Sequence, residues 1–255
     1  MCHEKWKPGA ADDGLGPSAC SFTVSDGQSM PAWRYGDGPG RGVCLVLPDI
    51  FGPSPFYHKV ASLIAGEGYR TVLADYFFRQ GPLAEATREG AFGRRSAMDE
   101  NLCLRDIGDV VDQLAREDGA ARIGVVGFCL SGTFVLDLAS ARDDLATVAF
   151  YGFPEGPGGQ VVSRAPRPID VADRLRGPIT AFWGDQDGIP MELVERFGAE
   201  VVRHGADYRQ HVYPGVGHGF LQGLVEERPD SGAARDAFDR TLTFLSAHVA
   251  GSSAA

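Results

Sequence analysis

Ala121-Arg122-Ile123-Gly124-Val125-Val126-Gly127-Phe128-Cys129-Leu130-Ser131-Gly132 is the stretch around which this chain is organised. Ile123, Val125 and Val126 form a short apolar, β-branched run of the kind that makes a buried strand. Residues 133–141 follow with helical character. Gly127, Cys129 and Gly132 between them read as a sharp strand-to-helix turn of the nucleophile-elbow type, with cysteine at its apex. Glycine is needed on each side because such a turn brings sheet and helix backbones close together. Cys129 would then project its sulfur beyond the carboxyl end of a strand. It would also stand at a helix N-terminus, whose partial positive charge favours thiolate. A small buried residue in a tight turn would fit the same pattern, so the rest of the chain has to decide.

Outward from this turn, apolar strands and amphipathic helices alternate. Residues 20–24 and 30–35 alternate apolar and polar side chains around Asp26-Gly27, a hairpin signal. Val43–Leu47 is a continuous apolar run, as expected for a strand buried on both faces. Ser54-Pro55 begins a helix with a cap and a first-turn proline, and Gly66 and Gly68 end it. Residues 69–74 form the next strand. Residues 75–95 read as a long connection, and Ser96 with Asp99 resembles a capping box before the helix of Leu104, Ile107, Val111 and Leu114. Beyond the turn come strands at 147–151, 178–183 and 208–213, helices at 192–202 and 233–248, and a Gly- and Pro-rich surface loop at 152–168. This alternation predicts an α/β fold with a mostly parallel, doubly wound sheet of about seven or eight strands flanked by helices. Sites in such folds lie beyond the carboxyl ends of the strands. Residues 1–18 read as an irregular arm, 19–249 as a single domain and 250–255 as a disordered tail.

The composition restricts the function. The chain has 255 residues, 44% hydrophobic, enough for a large core. A net charge of −10 argues against nucleic acid and anionic membranes as partners. No apolar run approaches the ~20 residues of a membrane span, and the N-terminal residues lack the apolar core of a signal peptide. The 5 cysteines show no pair spacing, which suggests reduced thiols in a cytoplasm. Cys2 and His3 are adjacent, but two ligands make a poor metal site.

Reactive side chains fall in three loops that follow apolar strands. Cys129 follows one. Asp187 follows another, within Gly184-Asp185-Gln186-Asp187-Gly188-Ile189-Pro190. His218 follows the last strand, within Gly217-His218-Gly219-Phe220. Nucleophile, acid and histidine in this chain order match α/β-hydrolases and differ from the chymotrypsin and subtilisin orders. A thiol needs a histidine to take or share its proton, and a carboxylate to fix the imidazole tautomer. His58, His204, His211 and His248 lie on helices or in mid-strand and fit this role less well. Asp185 competes with Asp187 for the role of acid.

These segments, with Pro48-Asp49-Ile50-Phe51-Gly52 and Asp75-Tyr76-Phe77-Phe78-Arg79, resemble the dienelactone hydrolase family of α/β-hydrolases over roughly residues 20–248. Cysteine in the elbow is the most specific feature, since most relatives of the wider fold use serine there. The resemblance implies Cys129 as nucleophile, His218 as base and Asp187 as orienting acid. It also implies an oxyanion hole from the backbone N–H groups of Ile50 and Leu130. Three positions depart from the family pattern. Asp49 stands where better-studied members carry a glutamate that contacts the resting thiol. Only three steps separate Asp187 from Pro190, where four are usual. Lactone-specific members hold the substrate carboxylate with two arginines; Arg79 matches one, and Gln222 stands in the place of the other.

The sequence therefore predicts hydrolysis of a small lactone or ester through a thioester on Cys129, without cofactor or metal, by a cytoplasmic monomer or small homo-oligomer. Phe51, Tyr76, Phe77, Phe78 and Phe153 are candidates for an apolar pocket wall. Two rivals remain. One is isomerisation or cyclisation on the same site, which would add no water to the product. The other is a binding protein of this fold without turnover.

Overall fold

The computed structural model of the protein describes residues 16–36 and 40–249. Most of the expected N-terminal arm, the Cys2-His3 pair and the 250–255 tail lie outside the described residues. Ser18, assigned to the arm from sequence, already begins a strand.

Strands β1 (Ser18–Thr23) and β2 (Ser29–Tyr35) form the expected antiparallel hairpin, with Thr23 opposite Ser29. Next in the chain come β3 (Val43–Leu47) and β4 (Arg70–Ala74), then β5 (Ile123–Phe128), β6 (Leu145–Phe150), β7 (Pro178–Gly184) and β8 (Asp207–Tyr213). They form one 8-stranded sheet in the order β1-β2-β4-β3-β5-β6-β7-β8. The β1–β2 and β2–β4 pairs are antiparallel, and the pairs from β4 to β8 are parallel. Every residue of β3, β5, β6 and β7 is buried, which is why these segments read as unbroken apolar runs. The edge strand β8 has no fully buried residue.

Six α-helices flank the sheet among the described residues: α1 (Pro55–Gly66), α2 (Arg88–Ser96), α3 (Glu100–Asp118), α4 (Leu130–Ala139), α5 (Met191–Arg203) and α6 (Ser231–His248). Asp99 caps α3 by accepting from the Leu102 amide at 2.9 Å, and Gly119 ends it in the left-handed region. All ten residues of α4 are buried, so this helix has no solvent face and shows little amphipathic pattern. No helix among the described residues is long and apolar enough to cross a membrane.

Two expectations change. The connection after β4 contains helix α2, with Thr87 as its cap at 3.1 Å from the Gly90 amide. Ser96 therefore ends one helix instead of starting the next. Only Ala91 and Arg95 of α2 are buried, so apolar periodicity could not reveal it. Ser54 occupies the cap position of α1, but its hydroxyl makes no cap bond; its carbonyl accepts from Tyr57 and His58 instead.

The connection after β3 runs to β4 on one side, and the chain then crosses to β5 on the other. Strand order thus reverses between β3 and β5, and a crevice opens there beyond their carboxyl ends.

Candidate active site

The turn after β5 places Cys129 at φ 58°, a conformation that non-glycine residues rarely adopt. Glycines on both sides make that turn possible. A Cβ on Gly127 would run into the Ser131 carbonyl, and one on Gly132 would lie 2.6 Å from the Phe150 carbonyl oxygen. The Cys129 amide donates to that same Phe150 carbonyl at 3.0 Å, which ties the turn to β6. Cys129 is only 5% exposed, yet it faces a cavity of about 460 Å³. Ile50, Phe51, Arg88, Phe92, Arg95, Leu130, Phe153, Pro157, Asp187, Gly188 and His218 line the cavity with it. The turn after β3 supplies Ile50, and Leu130 is the first residue of α4, where an amide has no acceptor within the helix.

His218 Nδ1 lies 2.9 Å from Asp187 Oδ2 and 3.1 Å from Oδ1. The Asp187 carboxylate is nearly sealed from solvent, with a side-chain exposure of 2%. Asp185 is used differently. Its Oδ1 accepts from the Gly215 amide at 2.7 Å, so it braces the loop that carries His218. The imidazole is further packed by Tyr151, at 4.8 Å between ring centroids, and Phe153, at 5.6 Å. Tyr151 follows β6 and is the other non-glycine residue with positive φ among the described residues, at 40°. The structure therefore brings Cys129, Asp187 and His218 to one cavity from the ends of three strands.

The other residues singled out from sequence take several positions. Asp49 is buried. Its Oδ1 accepts from the Phe51 amide at 2.8 Å, and its carbonyl accepts from the Tyr76 hydroxyl at 3.2 Å, so it shapes the turn that carries Ile50. Tyr76 is not a cavity residue. It packs in the core against Phe77, at 4.7 Å, and Phe134, at 5.8 Å. Burial first, and then the nearby Cys103, Asp49 and Cys129, hold its hydroxyl well above the usual range. Phe78 also lies away from the cavity, under the Arg79 guanidinium at 4.9 Å.

Arg79 is held outside the cavity by a bidentate pair with Asp106, at 2.6 and 2.8 Å, and by Asp26 at 2.8 Å. Gln222 is buried, and its Oε1 accepts from Arg228. Neither residue lines the cavity.

Helix α2 supplies cavity residues that the sequence did not suggest: Arg88, Phe92 and Arg95. Neighbouring Arg94 fixes the helix to the Ile50 turn. It donates to the Ile50 carbonyl at 2.8 Å and stacks 4.1 Å from the Phe77 ring centroid. Arg95 is buried against Glu100 at 2.6 Å and donates to the carbonyl of Gly158 at 2.6 Å, which secures the 152–167 loop.

Residues 35–249, from the end of β2 to the end of α6 and Val249, match one protein family along their length. It is the dienelactone hydrolase family, and the chain belongs to it. A carboxymethylenebutenolidase from Rhodococcus opacus is 31% identical over 98% of both chains. Carboxymethylenebutenolidase 2 from Cupriavidus pinatubonensis is 37% identical over 92% of this chain and 93% of its own. A structure from Klebsiella pneumoniae, described as that of a candidate dienelactone hydrolase, superposes with a TM-score of 0.78. It is 26% identical and covers 90% of this chain and 98% of its own. This dienelactone hydrolase-family chain is accordingly an enzyme of the lactone and ester hydrolase class.

Proposed function

We propose that the chain hydrolyses a small lactone or carboxylic ester through a thioester on Cys129, with residues 19–249 acting as one catalytic unit. The observation that carries this reading is the convergence of Cys129 and the Asp187–His218 pair on one cavity. His218 takes the thiol proton at Nε2 while Sγ attacks the substrate carbonyl carbon. Asp187 holds Nδ1–H and stabilises the imidazolium. Negative charge then grows on the carbonyl oxygen, and the amides of the cavity residues Ile50 and Leu130 are its donors in this reading. Each such donor is worth about 3 kcal/mol at the transition state.

Collapse of the tetrahedral intermediate breaks the bond to the leaving oxygen, which takes the proton from His218. In a lactone that oxygen stays tethered to the acyl group. Water then gives a proton to His218 and attacks the thioester, Cys129 leaves as thiolate and regains its proton, and the carboxylic acid departs. One water is consumed per turnover, and no oxidant or metal is needed for the balance.

The names of the Rhodococcus and Cupriavidus relatives describe butenolides bearing a carboxymethylene group, which is an unsaturated lactone with an acid substituent. A cavity of about 460 Å³ with aromatic walls suits a substrate of that size or somewhat larger. The unbridged thiols of Cys20, Cys44 and Cys103 support a reducing, cytoplasmic setting.

The test is a panel of lactones, enol esters and aryl esters with wild type and Cys129→Ala, read by substrate loss and product mass. Turnover with one water added, lost in the variant, supports hydrolysis. A product isobaric with its substrate would indicate isomerisation, and undiminished turnover in the variant would remove Cys129 from the reaction.

A further inference from the structure

Three arginines bear on the question of how this cavity handles charge, and two are committed elsewhere. Arg79 is held by Asp106 and Asp26, away from the cavity. Arg95 lines the cavity, but Glu100 neutralises it at 2.6 Å and it is 1% exposed. Arg88 lines the same cavity from the first turn of α2 and is exposed. No carboxylate among the described residues forms an ion pair with it. Its guanidinium lies 5.5 Å from the ring centroid of Phe92, four residues along the helix. The other charged members of the wall, Asp187 and His218, are bonded to each other. Among the described residues that line the cavity, Arg88 is therefore the arginine without a carboxylate partner, on a chain whose net charge is −10.

A second observation lies beside it. Large hydrophobic side chains exposed among the described residues are Phe92, Val162, Val202 and Val212. Phe92 is the aromatic one, and it too faces the cavity. An exposed aromatic ring next to a guanidinium offers an apolar surface and a bidentate donor at neighbouring points. Phe51, Phe153 and Pro157 add apolar surface to the same cavity as Cys129.

We propose that Arg88 is the specificity-determining residue of this site, selecting lactones or esters that carry a carboxylate remote from the bond being cleaved, with Phe92 packing against the apolar body between the two. This rests on the hydrolase reading above for its reaction, and on the placement of Arg88 and Phe92 for its choice of substrate. The carboxylate is bound at the rim, where water still screens it, so the discrimination is that of a partly exposed pair. That corresponds to about fivefold in kcat/KM at low salt, shrinking as ionic strength rises.

The test uses two aryl esters of equal size, one bearing a carboxylate at its far end and the other a carboxamide. Wild type should prefer the carboxylate by about fivefold at low salt. Arg88→Gln should bring the ratio to about one through KM, Arg88→Lys should keep part of the preference, and Arg88→Glu should invert it. A ratio near one in wild type, or a preference that survives Arg88→Gln, overturns the proposal.

A binding arm separates this failure from failure of the catalytic reading. Calorimetry with Cys129→Ala and a non-hydrolysable amide of the carboxylate compound reads the same contact without turnover. Binding should weaken about fivefold when Arg88→Gln is added, and equal binding overturns the proposal whether or not the enzyme turns over.

Discussion

The hydroxyl of Ser131 donates to the Leu47 carbonyl at 2.6 Å, joining the turn that carries Cys129 to the end of β3. The same oxygen accepts from the Phe128 amide at 2.8 Å, within the turn itself. Ser131 is fully buried. Leu47 lies three residues before Ile50, and Ser131 directly follows Leu130, so one side chain fixes the spacing between the two amides proposed to receive the oxyanion.

Ser131→Ala should lower kcat for ester hydrolysis by about tenfold with little change in KM, because a displaced oxyanion donor loses part of its roughly 10²–10³-fold worth. It should also cost about 1–3 kcal/mol of stability, since a buried amide and carbonyl lose a partner. Alkylation of Cys129 by iodoacetamide develops no oxyanion and should stay within about twofold of wild type. A parallel fall of alkylation and hydrolysis would mean that the serine supports the thiol itself and not the spacing of the amides.

Asp187 and Asp185 make a second comparison. Asp187→Asn should cut kcat by a factor of about 10² or more, because its carboxylate holds the imidazole. Asp185→Asn should lose less than about tenfold, since its contact is with the Gly215 amide. Steady-state kinetics on one aryl ester decides, and the reverse ranking would transfer the orienting role to Asp185.

How far the sequence discloses this site depends on the range of the contacts involved. Cys129 and Asp187 are legible because each follows a strand buried on both faces; His218 follows the edge strand β8 and is legible from its place after nucleophile and acid in the chain order. The choice between Asp187 and Asp185 is not, because both stand in one turn and a backbone amide 30 residues away from Asp185 engages it. Arg79 is misplaced from sequence for a similar reason. Its partners Asp106 and Asp26 lie 27 and 53 residues away, and their carboxylates take the guanidinium that the motif suggests for substrate. Helix α2 carries polar residues and two glycines on a largely exposed surface, so neither it nor Arg88 and Phe92 announces itself by periodicity.

Asp137 yields a pH prediction. It lies on α4 at 4% exposure, and neither carboxylate oxygen accepts a hydrogen bond from the described residues. Burial first, and then the charge of Glu100, hold its carboxyl well above the usual range. The folded chain therefore keeps a proton that the unfolded chain releases above about pH 4. The unfolded state binds fewer protons there, so this group lowers stability as pH rises. Asp137→Asn removes the ionisation at nearly constant shape. Thermal melts should show the variant close to wild type near pH 4 and higher by several degrees near pH 8. A gap that stays constant or narrows towards pH 8 would contradict a buried, proton-retaining acid.

The covalent step can be seen directly. Wild-type protein mixed with an activated aryl ester, quenched in acid within the first turnover and weighed intact, should gain the mass of one acyl group. Peptide mapping should place that mass on Cys129, and Cys129→Ala should show neither the adduct nor turnover. Rapid turnover with no acyl adduct at any quench time, persisting in Cys129→Ala, would contradict a cysteine nucleophile.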